Sequence, residues 1–260
     1  MRLPREVTIE YTDIKKPDLK NPILIEGLSG VGNVGMLAAE HMIKKLRAKK
    51  LADVHSPHFT YSPSFIPGIE SKDGIAQMLK DEIFYDWGHN LLILIGYYQG
   101  STTESYYSLA DEILEFCDEF GAKRIFTLGG YGTGRYIGKP KVYAVTTDRK
   151  LLEDVKKHGA VEMKGGMVTG ISGILLGLGH EKGKKCTCLL GETHGSYSDP
   201  KAAEAVLRVL SSVIGIEIGM DELKTEQKLL EEEFSRGAVL MRKMKRQREE
   251  RAREELRYIG

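Results

Sequence analysis

The sequence predicts an α/β fold: a mostly parallel sheet with helices on both faces, followed by a long charged helix at the C-terminus. Three observations carry this expectation. Short apolar runs alternate with helix-length amphipathic segments from Ile23 to Ile218, the pattern of a doubly wound sheet. Leu91–Ile95 is apolar throughout, as expected of a central strand covered on both faces. At Asp221 the composition changes, and from there to Tyr258 the chain has no proline and one glycine, Gly237. The expected division is therefore an α/β domain over residues 1–220 and a charged helical tail over residues 221–260.

The composition narrows the classes of function. A chain of 260 residues with 41% hydrophobic content is long enough for one sizeable core and an appendage. The net charge of +1 excludes strong global steering toward nucleic acid or acidic substrates. Three cysteines do not make a disulfide framework. The opening residues Met1-Arg2-Leu3-Pro4-Arg5-Glu6 contain no apolar signal region. Apolar runs such as Leu91–Ile95 are too short to span a bilayer. A cytoplasmic protein is expected.

The elements follow in order. Ile23–Glu26 is a short apolar strand, and a glycine-rich turn leads from it into a helix over Val34–Arg47. Phe59–Ser62 has strand composition, but Pro57, Pro63 and Pro67 break the surrounding region and confine it to an edge or loop. Strands are expected at Ile75–Phe84 and Leu91–Gly96, and a helix at Thr103–Phe120. Arg124–Leu128 and Val142–Thr146 read as strands, Asp148–His158 and Ile171–His180 as helices, and Cys186–Leu190 as a strand. The last helix of the domain is expected over Pro200–Ile214, with Asp199 at its N-cap and proline in its first position. In the tail, Leu223, Leu230, Phe234, Met241 and Met244 form a sparse seam of roughly heptad spacing. Lys245 to Arg257 is almost wholly charged.

Two glycine clusters are candidate sites. Gly27 is followed by Gly30-Val31-Gly32-Asn33-Val34-Gly35, a literal G-x-G-x-x-G between strand and helix. In a dinucleotide fold such a loop brings a helix N-terminus to a pyrophosphate, and an acidic residue about 20 positions on, here Asp53, meets a ribose. The alternative is a tight turn whose glycines permit close backbone packing. The second cluster, Gly129-Gly130-Tyr131-Gly132-Thr133-Gly134, sits after the Arg124–Leu128 strand and is followed by Arg135. It is either an anion nest or a glycine-rich loop at the sheet edge. Lys139 lies too far on to act as a Walker lysine.

Other residue types bear on chemistry. Cys186 and Cys188 alternate on a strand and share a face, with His180 and His194 flanking them. Such a set can hold zinc, while an apolar strand with Cys-x-Cys also reads as core. Thr193-His194-Gly195-Ser196 and Asp199 are hydrolase residue types, too close in sequence for an ordinary triad. Glu104 and Glu192 are possible acids or bases with no evident partner. Tyr97-Tyr98 and Tyr106-Tyr107 either line a pocket or cover the sheet. In the tail, Arg242, Lys243, Lys245, Arg246, Arg248, Arg251 and Arg253 are basic enough to touch phosphates. The interspersed Glu249, Glu250, Glu254 and Glu255 can pair with them along a solvated helix.

Three segments together resemble one family. They are Ile25-Glu26-Gly27-Leu28-Ser29-Gly30-Val31-Gly32-Asn33-Val34-Gly35, then Leu128-Gly129-Gly130-Tyr131-Gly132-Thr133-Gly134, then Gly191-Glu192-Thr193-His194-Gly195 with Asp199-Pro200-Lys201-Ala202-Ala203. In that order they resemble the proteasome assembly chaperone 2 family in its archaeal branch, over about residues 20–220. The resemblance implies an α/β sandwich similar to purine nucleoside phosphorylases, without catalytic residues. It implies binding to the α-subunit ring of the core proteasome, as an assembly chaperone or activator and as a homo-oligomer. Such proteins can carry a C-terminal hydrophobic-Tyr-X motif that docks between α-subunits. The chain ends Arg257-Tyr258-Ile259-Gly260, with the tyrosine third from the end and arginine in place of the hydrophobe.

The expected protein is a non-enzymatic scaffold with no cofactor and no metal. Gly27, Gly30, Gly32, Gly35, Gly129, Gly130, Gly132 and Gly134 are read as structural, and Arg257, Tyr258, Ile259 and Gly260 as partner-binding. The alternative is an enzyme that holds a nucleotide or phosphorylated ligand in its glycine loops. A third possibility is an RNA-associated protein that uses its basic tail.

Overall fold

The structure is a computed structural model and describes residues 7–12, 16–60, 66 and 68–229. The chain forms two compact units, Met1–Gly219 and Met220–Gly260. In the second, residues 221–229 are helical. The expected seam from Leu230 onward, the charged run Lys245–Arg257 and the terminal residues Arg257–Gly260 lie outside the described residues.

The first unit opens with β1 (Thr8–Tyr11) and β2 (Ile23–Leu28), and β2 runs into α1 (Val34–Leu46) through a single 3-10 turn at Val31–Asn33. Next come β3 (Lys49–His55), the small strands β4 (Ile69–Lys72) and β5 (Ile75–Met78), β6 (Lys80–Asp86) and β7 (Leu91–Gly96). Helix α2 (Thr103–Glu119) precedes β8 (Arg124–Gly132), β9 (Val142–Thr146) and α3 (Arg149–Lys157). The unit closes with β10 (Val161–Glu162), α4 (Gly170–Glu181), β11 (Lys185–Thr193) and α5 (Pro200–Ile214).

Nine strands form one sheet in the order β1-β3-β6-β7-β2-β8-β11-β9-β10. The expectation of a mostly parallel sheet is corrected here: the sheet is mixed. The interior β7-β2-β8-β11 is parallel, as is the β9-β10 pair at the edge. β1/β3, β3/β6, β6/β7 and β11/β9 are antiparallel. The β6–β7 connection is only residues 87–90 and turns at Asn90, whose φ is 56°. A link that short joins antiparallel neighbours, because a parallel crossover needs a dozen or more residues.

Helices cover both faces. α1 packs against β2, β7, β8 and α5 on one side, while α4 packs against β8, β11 and α2 on the other. Each of the five helices lies within one residue of its expected bounds. Their ends explain this. Thr102 and Ser105 form a reciprocal capping box at α2, Asp148 accepts the Leu151 N–H at α3, and Asp199 accepts the Ala202 N–H at α5. Gly215, at φ 73°, stops α5 in the left-handed region. Along α2, Leu109, Ala110, Ile113, Leu114, Phe116 and Cys117 are buried, the stripe of a helix packed on one side.

Several strands differ from expectation. β1, β3, β4 and β10 are outside the expected set: β1 and β10 are edge strands without a buried residue and β4 is exposed, so their apolar signal is weak, while β3 buries only Leu51, Ala52 and Val54. The expected strand at Phe59–Ser62 does not form over Phe59 and Thr60, and Tyr61 and Ser62 lie outside the described residues. Phe59 is instead a buried anchor stacked on Tyr98, with ring centroids 5.4 Å apart. Ile75–Phe84 is two strands, because Leu79 separates a local hairpin strand from a strand of the main sheet. β8 runs through Gly129, Gly130 and Gly132, so most of the second cluster continues a strand rather than forming a loop.

Glycine sets the distance between α1 and the sheet. A Cβ on Gly35 would lie 2.5 Å from the Leu128 carbonyl oxygen and 3.2 Å from that of Leu28. A Cβ on Gly27 would lie 2.5 Å from Ala39 Cβ and from the Gly35 carbonyl oxygen. Helix propensity alone favours Gly35→Ala by about 1 kcal/mol. The overlap outweighs it, and the substitution is expected to destabilise the fold by about 1–3 kcal/mol in urea unfolding. Gly68→Ala, with open space around it, is the control and should leave the midpoint unchanged. A stabilised Gly35→Ala protein would show that the close approach is not a constraint.

Candidate functional site

The three glycine-bearing segments meet at the carboxyl edge of the parallel strands, where open α/β sheets place ligands. Gly32 sits at φ 64°, and a Cβ there would lie 2.7 Å from Thr193 Oγ1. A Cβ on Gly130 would lie 2.1 Å from the Val31 carbonyl oxygen. Hydrogen bonds then tie the segments together. Ser29 Oγ donates to Asn33 Oδ1 (2.9 Å) and Asn33 Nδ2 donates to Ser198 Oγ (2.9 Å). The Asp199 N–H donates to the Gly32 carbonyl (2.9 Å), and the Thr133 N–H to the Thr193 carbonyl (2.9 Å). Thr193 Oγ1 donates to Asp199 Oδ2 (2.7 Å), while Asp199 Oδ1 caps α5. The Gly134 N–H, at the end of the second cluster, donates to the His194 carbonyl (3.2 Å).

Two features depart from a dinucleotide loop. The Ser29 and Asn33 N–H groups donate to the carbonyls of Gly96 (2.8 Å) and Gly30 (2.9 Å), so they are not turned toward a ligand. Asp53 lies on β3, which β6 and β7 separate from β2. Lys50 (2.6 Å) and Lys80 (2.9 Å) hold it. Burial pushes the Asp53 carboxyl up, and the hydrogen bonds of the two lysines outweigh this and keep it below its ordinary value.

Beside the junction lies a cleft of about 630 Å³. Its walls are the ends of β2, β8 and β11, the start of α2 with Thr103, Tyr106 and Tyr107, and the segment from Met167 to Ile174. Among the described residues no charged side chain lines it, although 29% of the chain is charged. Val31, Tyr107, Tyr131 and Met167 are exposed around it. Arg135 is not among the lining residues. Tyr98 packs under Phe59, while Tyr97 is exposed.

Near the cleft are two buried acids that sequence reasoning did not single out. Glu26 is fully buried and accepts the Leu28 N–H (2.9 Å) and the hydroxyl of the cleft residue Ser172 (2.8 Å). Burial pushes its carboxyl up to about 7, against the lowering effect of those two bonds. Asp81 is buried on β6 and accepts the Tyr98 N–H (3.1 Å). Burial raises its carboxyl well above the ordinary range, and the charge of Glu26 adds to this. Gly96 makes room for it, since a Cβ there would lie 1.8 Å from Asp81 Oδ1. The available signal was a carboxylate closing the apolar run Ile23-Leu24-Ile25.

The other candidate groups do not assemble a reaction centre among the described residues. Cys186 and Cys188 are buried in β11, and burial pushes their thiols up to about 11 and about 12. No three His, Cys, Asp or Glu side chains among the described residues are grouped to hold a metal ion. His194 stacks on Tyr197, with ring centroids 5.2 Å apart. Glu192 is paired: it accepts the Tyr143 hydroxyl (2.9 Å) and the Lys141 N–H (3.0 Å) and so fastens β9 to β11. Glu104 sits in the first turn of α2. Among the described residues no helix is long and apolar enough to cross a membrane.

Residues 24–237 match the sequence profile of the PAC2 family, and the chain belongs to that family. The uncharacterized protein MJ1210 of Methanocaldococcus jannaschii is 33% identical over 265 residues, covering 100% of both chains. The crystal structure of Pyrococcus furiosus PbaB, an archaeal proteasome activator, is similar at a TM-score of 0.81 and 37% identity, covering 90% of this chain and 100% of that one. Pyrococcus furiosus PbaA, an archaeal homolog of proteasome-assembly chaperone, is similar at a TM-score of 0.76 and 27% identity, covering 95% and 97%.

The buried Glu26 predicts a pH dependence. The unfolded carboxyl titrates near 4.5 and the folded one near 7, so the folded chain holds the extra proton between them. Stability therefore falls as pH rises through that window. Glu26→Gln keeps an acceptor for Leu28 and removes the titration. It should be more stable than the parent at pH 8, by on the order of 3 kcal/mol, with the gap closing toward pH 4.5. A gap that does not change with pH in urea unfolding would refute the assignment.

Proposed function

We propose that this protein is a non-enzymatic assembly chaperone or activator of the core proteasome, acting in the cytoplasm. In this reading a homo-oligomeric α/β body presents several C-terminal tails to the α-subunit ring. The observation that carries it is the likeness to Pyrococcus furiosus PbaB, a proteasome activator, at 37% identity over 90% of this chain.

The site supports the same reading. Among the described residues the cleft has no lining cation for a phosphate, and the Ser29 and Asn33 N–H groups of the first glycine loop are spent on the carbonyls of Gly96 and Gly30. The cleft edge instead offers uncharged aromatic and aliphatic surface, a composition suited to protein contact. We assign the ring contact to Arg257, Tyr258, Ile259 and Gly260, with the terminal carboxylate and the tyrosine as anchors. Tails that bind weakly one at a time hold a symmetric ring through avidity, since each later contact is effectively intramolecular.

The test is retention of α-subunit rings by three purified proteins: the full chain, a chain lacking Tyr258-Ile259-Gly260, and a chain ending at Asp221. The full chain should retain the ring. The three-residue deletion should keep its melting temperature and mass and lose on the order of tenfold or more in affinity, because every tail loses its anchor. Equal retention by the deletion would move the contact to the body or the charged segment. Failure of the full chain to bind the ring would overturn the proposal.

A further inference from the structure

Strands β4 and β5 form a two-stranded sheet of their own. Asp73 and Gly74 connect them at φ 51° and 80°, positive at both positions as a type I′ hairpin turn requires. The register pairs Ile69 with Met78, Glu70 with Gln77, Ser71 with Ala76 and Lys72 with Ile75. All four β4 residues are exposed. The apolar pair at the open end is exposed too, Ile69 at 56% and Met78 at 63%. A lone two-stranded hairpin is marginal in water, and a free strand edge is a template for another strand.

The turn sets the phase of that edge. In a two-residue hairpin the pair flanking the turn, Lys72 and Ile75, exchanges hydrogen bonds, and bonded and non-bonded pairs then alternate. Glu70 and Gln77 are therefore bonded to each other. The N–H and C=O of Ser71 and of Ile69 point away from β5, along the free edge of β4.

We infer that β4 pairs antiparallel with β4 of a second copy, across a two-fold axis at Ser71. In that register the two Ser71 residues exchange their outward N–H and C=O groups. Glu70 of each copy stands opposite Lys72 of the other, at non-hydrogen-bonded positions where side chains approach most closely. Among the described residues neither Glu70 nor Lys72 is in an ion pair within its own chain. A two-fold axis at Glu70 is excluded on two counts: it opposes two carboxylates, and the Glu70 main-chain groups are already spent on β5. Hydrogen-bond phase admits an axis at Ser71 or at Ile69, and the Glu70–Lys72 opposition selects Ser71. The product is a four-stranded ribbon with Ile69, Ser71, Ala76 and Met78 of both copies on one face. This surface rests on the self-association proposed above and names where it occurs.

Sedimentation velocity on full-length variants tests it. Ser71→Pro removes an outward N–H and leaves the hairpin's own bonds in place. It is expected to halve the mass of the assembly without changing the melting temperature. Glu70→Lys and Lys72→Glu each set like charges opposite and should also halve it, and the double exchange should restore the parent mass. If Ser71→Pro and both single exchanges keep the parent mass, the β4 interface is wrong while self-association stands. A parent chain that sediments as a monomer overturns both. Ring retention, measured separately, reports on the proteasome reading alone.

Discussion

The carboxyl edge of the sheet depends on how closely the start of α1 approaches β2 and β8. Backbone meets backbone there, with the Gly27, Gly35 and Gly130 Cα atoms occupying space that any Cβ would contest. Interiors are packed tightly enough that one added methyl group forces a shift. The approach brings the Val31–Asn33 turn over the end of β8, so that Gly32 and Asn33 can bond to the Thr193–Asp199 segment. The G-x-G-x-x-G in this chain therefore acts as a joint. Its spacing suits phosphate, yet Gly32 and Gly35 are packed against Thr193 and Leu128, while Gly30 lines the cleft.

The electrostatics near the edge follow from burial. Glu26 and Asp81 stand in the sheet interior, where the charged form of a carboxyl is strongly disfavoured. Gly96 leaves space for one, and the Leu28 N–H and the Ser172 hydroxyl partly compensate the other. Among the described residues the cleft lining carries no charged side chain, in a chain that is otherwise dense in charge.

The proposed contacts fall on separate parts of the chain. The α/β unit keeps its strongest packing in the parallel interior strands and both helix layers. The β4–β5 hairpin stands outside that packing, with polar and apolar residues exposed together. Elements that contribute little to the core are free to present contact surface, because changing them costs little folding stability. Repeated weak contacts on copies of one chain suit a symmetric partner better than one large interface does.

The sequence by itself determined the elements whose signals are local. All five helices were legible because caps, an αL glycine and a stripe of apolar residues act within a few positions of each other. β7 was legible because its apolar run is continuous. The three motif segments carry the family resemblance in the sequence itself. Beyond the β6/β7 pair, whose short link already requires antiparallel neighbours, tertiary structure decided the mixed strand directions, since alternation of side chains reads the same for parallel and antiparallel pairs. It decided that Ile75–Phe84 is two strands in different sheets, because period-two patterning carries no record of which edge a strand joins. It decided that Glu26 and Asp81 are buried and that Asp53 is bridged by Lys80 as well as by the nearby Lys50, since the voids and most of the charges around a carboxylate come from residues distant in the chain. The meaning of the glycines belongs to the same class: the motif states that a side chain is absent, and only the neighbour brought against it states why.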